Sequence, residues 1–220
     1  MNPRTISHSH DVEIGDALDF IDTLELEHGE PFDHFVQPAE MVSWLHDRGL
    51  LHDASLDPDV AHLMKPGPAA NRALDRVRRV RAALRELVDA TVEQRPPTAS
   101  AVEMVNQAMR AHQRLVLVAG EDGVSLDHRH EGDSLDDALA RIAERVAREI
   151  SGDRADRLRI CDNDTCRWVF FDSSPTGRRR WCDMATCGNR AKAARHRARA
   201  KAAEIETAEI ETATAPAARA

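Results

Sequence analysis

Cys161-Asp162-Asn163-Asp164-Thr165-Cys166 and, fifteen residues later, Cys182-Asp183-Met184-Ala185-Thr186-Cys187 hold every cysteine of the 220-residue chain. Two close pairs separated by a spacer of hairpin length let four thiolates converge tetrahedrally on one zinc ion, each short loop wrapping half of the coordination sphere. A closed shell of this kind leaves no position for water or substrate. The expected role of Cys161, Cys166, Cys182 and Cys187 is therefore to fold the chain around a structural metal rather than to catalyse. Two disulfides are the rival reading. Clustering of all four cysteines within 27 positions, in a chain without secretory features, weighs against it.

The stretch around these cysteines differs in charge from everything else. Residues 154–201 carry 13 Lys and Arg against 5 Asp and Glu, a balance of +8. The remaining residues carry 17 against 33, a balance of −16, so the overall −8 averages two unlike pieces. An acidic body repels a polyanion and a basic module attracts one, which confines any nucleic-acid contact to the C-terminal module. Met1 to His10 has no apolar core flanked by positive charge, and the longest apolar run, Leu115 to Ala119, is too short for a bilayer. A soluble, cytoplasmic chain without a membrane partner is expected, in a compartment that keeps thiols reduced.

Toward the N-terminus the pattern is mainly helical. Residues 1–10 read as a loose end, with His8 and His10 unaccompanied. Ile14, Leu18, Ile21 and Leu24 follow helical spacing, and a second short helix is predicted from Pro38 to Gly49 with Met41, Trp44 and Leu45 buried. After Pro66-Gly67-Pro68 comes the clearest helix, with Leu74, Val77, Val80, Leu84, Leu87 and Val88 at intervals of three or four. Its Arg72, Arg76, Arg79 and Arg85 are interleaved with Asp75, Glu86 and Asp89 and read as a solvated face. Thr98 caps a helix to about His112. Two strands, Arg114 to Ala119 and Val124 to Arg129, then form the one hairpin expected in the body. Ser134, with Asp137 three residues on, opens a last amphipathic helix that fades at Ser151-Gly152, where the body ends.

Between the cysteine pairs, Arg167 to Asp172 and Arg178 to Trp181 read as the strands of a second hairpin, turned at residues 173–177. Arg178 and Arg180 would then share a face. Trp168 and Trp181 are expected as its core. Beyond Cys187, Ala191, Ala194, Ala198 and Ala202 fall on one helical face that is expected to pack on the hairpin. Arg190, Lys192, Arg195, Arg197, Arg199 and Lys201 make the rest of that helix cationic. The tail repeats Glu204-Ile205-Glu206-Thr207-Ala208 as Glu209-Ile210-Glu211-Thr212-Ala213 and reads as low-complexity, disordered or a frayed helical extension.

Cys187-Gly188-Asn189-Arg190, behind Cys161-x4-Cys166 and Cys182 and with Trp168, Phe170 and Trp181 between, resembles the CGNR zinc finger over about residues 155–200. Ala17-Leu18-Asp19-Phe20-Ile21-Asp22-Thr23-Leu24, with Trp44-Leu45 and Gly49-Leu50-Leu51, resembles the ABATE domain that usually precedes it. An Asn commonly stands there where this chain has Asp22. The resemblance implies an α+β chain: a mainly helical N-terminal domain, then a small treble-clef-like finger of hairpin plus basic helix. It also implies a role in stress-linked transcriptional regulation. The expected divisions are a flexible N-terminus at 1–10, an ABATE-like domain at 11–152, the finger at 155–201 and the tail at 202–220.

Within the motif, Gly188 is expected to let the backbone turn tightly, and Asn189 to bond a knuckle backbone or a sulfur. Arg190 is expected either to reach phosphate or to pack internally. The leading function is a DNA-binding transcriptional regulator, RNA not excluded, whose contacts are Arg178, Arg180, Arg190, Lys192, Arg195, Arg197 and Arg199. The alternative is a zinc-stabilised interaction module docking an acidic partner, including the protein's own N-terminal domain. No enzyme is expected. Asp16, Asp19 and Asp22 share a helix face without an accompanying base and read as a solvated edge, and His128-x-His130 lacks further ligands. The N-terminal domain is expected to sense a small-molecule effector or to mediate homodimerisation.

Overall fold

The structure is a computed structural model and describes residues 12–27, 29–51, 53, 57–110, 114–120, 123–129 and 133–214. The expected loose N-terminus with His8 and His10, the position of His130, and the last six residues of the tail lie outside these. The architecture is the mainly helical α+β arrangement anticipated, with three short antiparallel strand pairs among the described residues. Helix α4 (Pro68–Val92) is its axis. Its buried stripe of Leu74, Val77, Val80, Leu84, Leu87 and Val88 meets α1 (Ile14–Asp22), α5 (Ala99–Arg110) and α6 (Ser134–Ile150), with α2 (Pro38–Asp47) and α3 (Pro58–Leu63) closing one side.

Local chemistry sets the ends of these helices. Pro38 opens α2, where Glu40 accepts the Gln37 and Val36 N–H groups at 2.8 and 2.7 Å. The chain leaves α2 by a glycine turn. Gly49 sits at φ 66°, and Leu50 and Gly49 donate to the Leu45 and His46 carbonyls at 2.9 and 2.8 Å. Thr98 Oγ1 accepts from Ala101 N at 3.3 Å at the start of α5. Helix α6 is capped one residue earlier than the sequence indicates. Asp133 accepts the Asp136 N–H at 2.7 Å and Asp136 answers at 3.4 Å, while the Ser134 hydroxyl is drawn away to Asp57.

Among its described residues the body holds two hairpins rather than one. Beside β3 (Arg114–Gly120) and β4 (Gly123–Arg129), strands β1 (Leu24–Glu27) and β2 (Glu30–Asp33) pair with Leu24 opposite Asp33. Leu24 therefore belongs to a strand and is 42% exposed, not the end of a helical stripe. The β1–β2 hairpin delivers Asp33 to α4. Arg81, only 3% exposed, grips it with two bonds of 2.8 and 2.6 Å and adds Thr23 Oγ1 at 2.9 Å. Partial burial works to raise the Asp33 carboxyl, but the Arg81 bonds, the Phe35 N–H and the Arg78 charge outweigh it and hold the group below its usual range. Phe35 packs beside this pair with Phe20 and Trp44, their ring centroids about 6 Å apart.

The expected solvated arginine face of α4 is only partly so. Arg72 and Arg79 are exposed, whereas Arg76 pairs with Asp136 at 2.6 Å and Arg85 reaches across to the C-terminal module. Replacing Arg81 by Met strands Asp33 beside the core, and such a loss typically costs about 3 kcal/mol. Urea unfolding of Arg81→Met should show a destabilisation of that order, while Arg72→Met should leave the midpoint nearly unchanged.

Candidate metal centre and the surface it supports

After a short 3₁₀ turn at Ala155–Arg157, strand β5 (Leu158–Ile160) leads into the first cysteine loop and strand β6 (Val169–Phe171) leads out of it. They pair antiparallel, Ile160 opposite Val169, and Cys161 N donates to Trp168 O at 2.8 Å. The finger's strand pair thus closes around Cys161–Cys166. The predicted hairpin between residues 167–172 and 178–181 is not formed. The second segment is held instead by side chains. Asp172 accepts from Ser174 N and Arg179 N at 3.0 and 2.8 Å, Arg157 donates to Ser174 O at 2.8 Å, and Arg159 to Gly177 O at 2.9 Å. Burial opposes ionisation of Asp172, yet the bonds from Ser174 and Arg179 hold its carboxyl at about 2. One backbone bond, Asp162 N to Arg180 O at 2.9 Å, brings residues 178–181 alongside the knuckle.

The four sulfurs lie within 4.8 Å of one another. Cys166 and Cys182 Sγ are 3.6 Å apart and Cys182 and Cys187 Sγ 3.9 Å, far beyond a disulfide and close to the edge of about 3.8 Å that a tetrahedron with 2.3 Å zinc–sulfur bonds requires. As bare thiols Cys166 and Cys182 resist ionisation. Burial, followed by neighbouring cysteine charge, pushes Cys166 up to about 12 and Cys182 higher still. Cys187, although burial opposes it, is lowered by Asn163 and the adjacent thiols. A dication reverses this balance by neutralising the converging thiolates. The cysteines are positioned to bind one metal ion, and the donor set fits one structural zinc.

The neighbours of this cage are only partly those the sequence indicates. Asn189 donates to Ala185 O at 2.9 Å and so ties down the second knuckle's backbone. The amide aimed at a sulfur is that of Asn163, with Nδ2 at 3.5 Å from Cys187 Sγ and Oδ1 accepting from Thr165 N and Oγ1. Its place inside a Cys-x4-Cys loop was the available clue. Gly188 does not serve by a left-handed backbone. It lies in a π-helical turn, Met184–Gly188, capped by Asp183, and a Cβ there would stand 3.1 Å from the Met184 sulfur and methyl. Space, not conformational freedom, is what glycine supplies.

Helix α7 (Asn189–Thr214) rises directly from this turn. The alanine face does not pack on the strands as expected: Ala191 is half-buried, and Ala194, Ala198 and Ala202 are exposed. Arg190, Lys192, Arg197 and Arg199 are exposed around the same rod. Arg195 lies over the Trp181 ring at 5.9 Å and Arg180 over it at 5.1 Å. Trp181 is therefore a clamp at the base of α7 rather than core. Arg178 is exposed, while Arg180 also pairs with Asp162.

Nor is Trp168 a private core. Its indole donates to Glu25 of the body at 2.8 Å. Leu158, Ile160 and Val169 join the hydrophobic core built by α1, α4 and α6. The finger thus docks on its own N-terminal domain, but through apolar strands instead of the basic helix. Arg167, at φ 57°, turns its carbonyl to Arg85 at 3.0 Å, and Val169 N donates to Asp22 Oδ1 at 3.1 Å. Asp22 was expected at a solvated edge with Asp16 and Asp19. Those two face Arg48 at 3.8 and 3.5 Å, but Asp22 is 4% exposed, and its second oxygen has no hydrogen-bond partner among the described residues.

Burial pushes the Asp22 carboxyl well above the usual range, against the Val169 N–H and Arg85 and helped by Asp19 and Glu25. The unfolded chain then releases this proton first, so the group's contribution to stability falls as pH rises above the ordinary carboxylate range. Asp22→Asn keeps the acceptor and removes the proton. It should raise the thermal midpoint at neutral pH and flatten its decline from acidic pH, and a lower midpoint with unchanged slope would contradict the assignment. For the cage, elemental analysis should find about one zinc per chain. Cys187→Ser should lose that metal and shift tryptophan emission while most helical ellipticity remains.

Comparison with known families follows the same division. The family described as CGNR zinc finger matches residues 157–200. The ABATE family, described as "Putative stress-induced transcription regulator", matches residues 17–153. No curated protein matches the chain. Among the described residues no helix is long and apolar enough to cross a membrane. The second match spans more than half of the sequence and the cysteine cage lies within the first, so the chain belongs to the ABATE family and bears a CGNR zinc finger.

Proposed function

We propose that this protein is a transcriptional regulator that holds nucleic acid, duplex DNA foremost, on the first half of α7 and the arginines beside the zinc. One observation carries the reading. From Arg190 to Lys201 the helix presents six cations and no acidic residue, and its side chains from Lys192 onward are exposed. Arg178 stands exposed on the same module, and the body behind it is acidic. Arg190, Lys192, Arg197 and Arg199 are assigned to phosphate. Arg195 and Arg180 divide their role between phosphate and the Trp181 clamp. Cations repeated along a helix suit the backbone of a duplex, whose phosphates supply affinity without sequence information. No catalytic step belongs to this proposal. Sensing of a small-molecule effector is assigned to the N-terminal domain.

About five phosphate contacts give a log–log salt slope near −4 to −5 on duplex DNA. Arg190→Ala, Lys192→Ala and Arg199→Ala together keep helix-forming residues in place and remove three of these contacts. The slope should shrink by about 2 to 3 units, with circular dichroism unchanged. Salt-independent retention, or an unchanged slope in the triple variant, would dispose of this surface. An RNA pool run beside random duplex DNA distinguishes the polymer.

A further inference from the structure

Helix α7 is divided by charge along its length. Its first half is wholly basic, and Glu204, Glu206, Glu209 and Glu211 make its second half wholly acidic up to Thr214. A 26-residue helix is about 39 Å long. Side chains from 192 to 202 are exposed, and Ile205 is 51% exposed. Arg195 and Arg199, and likewise Arg197 and Lys201, repeat a like charge four residues apart, which disfavours a lone helix. Along the helix only Lys201 and Glu204 bring opposite charges to a spacing of three or four, whereas a second rod run the other way matches them along its length.

We propose that two copies of the chain pair through α7, antiparallel, the basic half of each helix lying against the acidic half of the other. The register follows from helical spacing. With Ala198 of one copy level with Ile205 of the second copy, Glu206 falls midway between Arg195 and Arg199 of the opposite helix. Glu204 falls midway between Arg197 and Lys201. Both arrangements occur twice by the two-fold symmetry, as an isologous contact requires. A parallel pair sets basic against basic and acidic against acidic along its whole length, so charge also fixes direction. The same arginines serve phosphate in the proposed function. Pairing and nucleic acid therefore compete, but the pairing itself does not depend on that reading.

Sedimentation equilibrium of the full, zinc-loaded chain, free of nucleic acid, tests this. A dimer is expected at low salt, weakening by at least about tenfold at high salt. Glu204→Lys with Glu206→Lys should be monomeric, and so should Arg197→Glu with Arg199→Glu. Mixing the two double variants should restore a one-to-one pair. A monomer at every concentration of the parent chain, a dimer indifferent to salt and to both variants, or a mixture that stays monomeric overturns the proposal. DNA retention is read separately, so each idea fails on its own evidence.

Discussion

Four sulfurs drawn to within 4.8 Å of one another repel as thiolates, Cys166 and Cys182 resist ionising as thiols, and one divalent cation resolves both difficulties. Much of the C-terminal third takes its direction from that point. The first knuckle fixes where β6 starts, and hence where the Arg167 carbonyl and the Val169 N–H meet Arg85 and Asp22. The second knuckle, through the turn that places Cys187, fixes the line along which α7 departs. Trp181, covered by Arg180 and Arg195, steadies that departure with stacking rather than with buried area.

On the other side of the junction the body places ionisable groups in unusual surroundings. Arg81 and Asp22 are both nearly inaccessible, one held through its terminal nitrogens by Asp33 and Thr23, the other left among the described residues with an oxygen unbonded. The first arrangement joins a strand pair to α4 and contributes mainly orientation, since a buried ion pair recovers little net stability over its desolvation. The second places a carboxyl that resists ionising against the backbone of the metal-bearing strands. An amide would satisfy the same N–H without the cost.

Much of this was legible in the residues. The cysteine spacing, the three- and four-residue stripe of α4, and the abrupt change of charge near residue 154 each rest on short-range patterns that tertiary context cannot erase. Asp22 was misread because its spacing from Asp16 and Asp19 marks a helix face. The wall that buries it, Val169, arrives 147 residues later. Strands β5 and β6, three residues each, carry too little alternation to be told from the flanking Arg178–Trp181 segment, which has equally extended chemistry but is fastened by Asp172 instead of by a ladder. The alanine stripe of α7 signals a packing face only when something stands opposite it. Sequence spacing records the stripe and not its neighbour.

The continuity of Leu158, Ile160 and Val169 with the helical core bears on how such chains diversify. A zinc finger with a self-sufficient interior can be shuffled between proteins as a cassette. This one is grafted on, its inner wall completed by α1 and α4. Exchange of the finger for that of a distant homologue would require the recipient's α1 and α4 to change in step, so the two segments are bound to be inherited, and to drift, as a single unit.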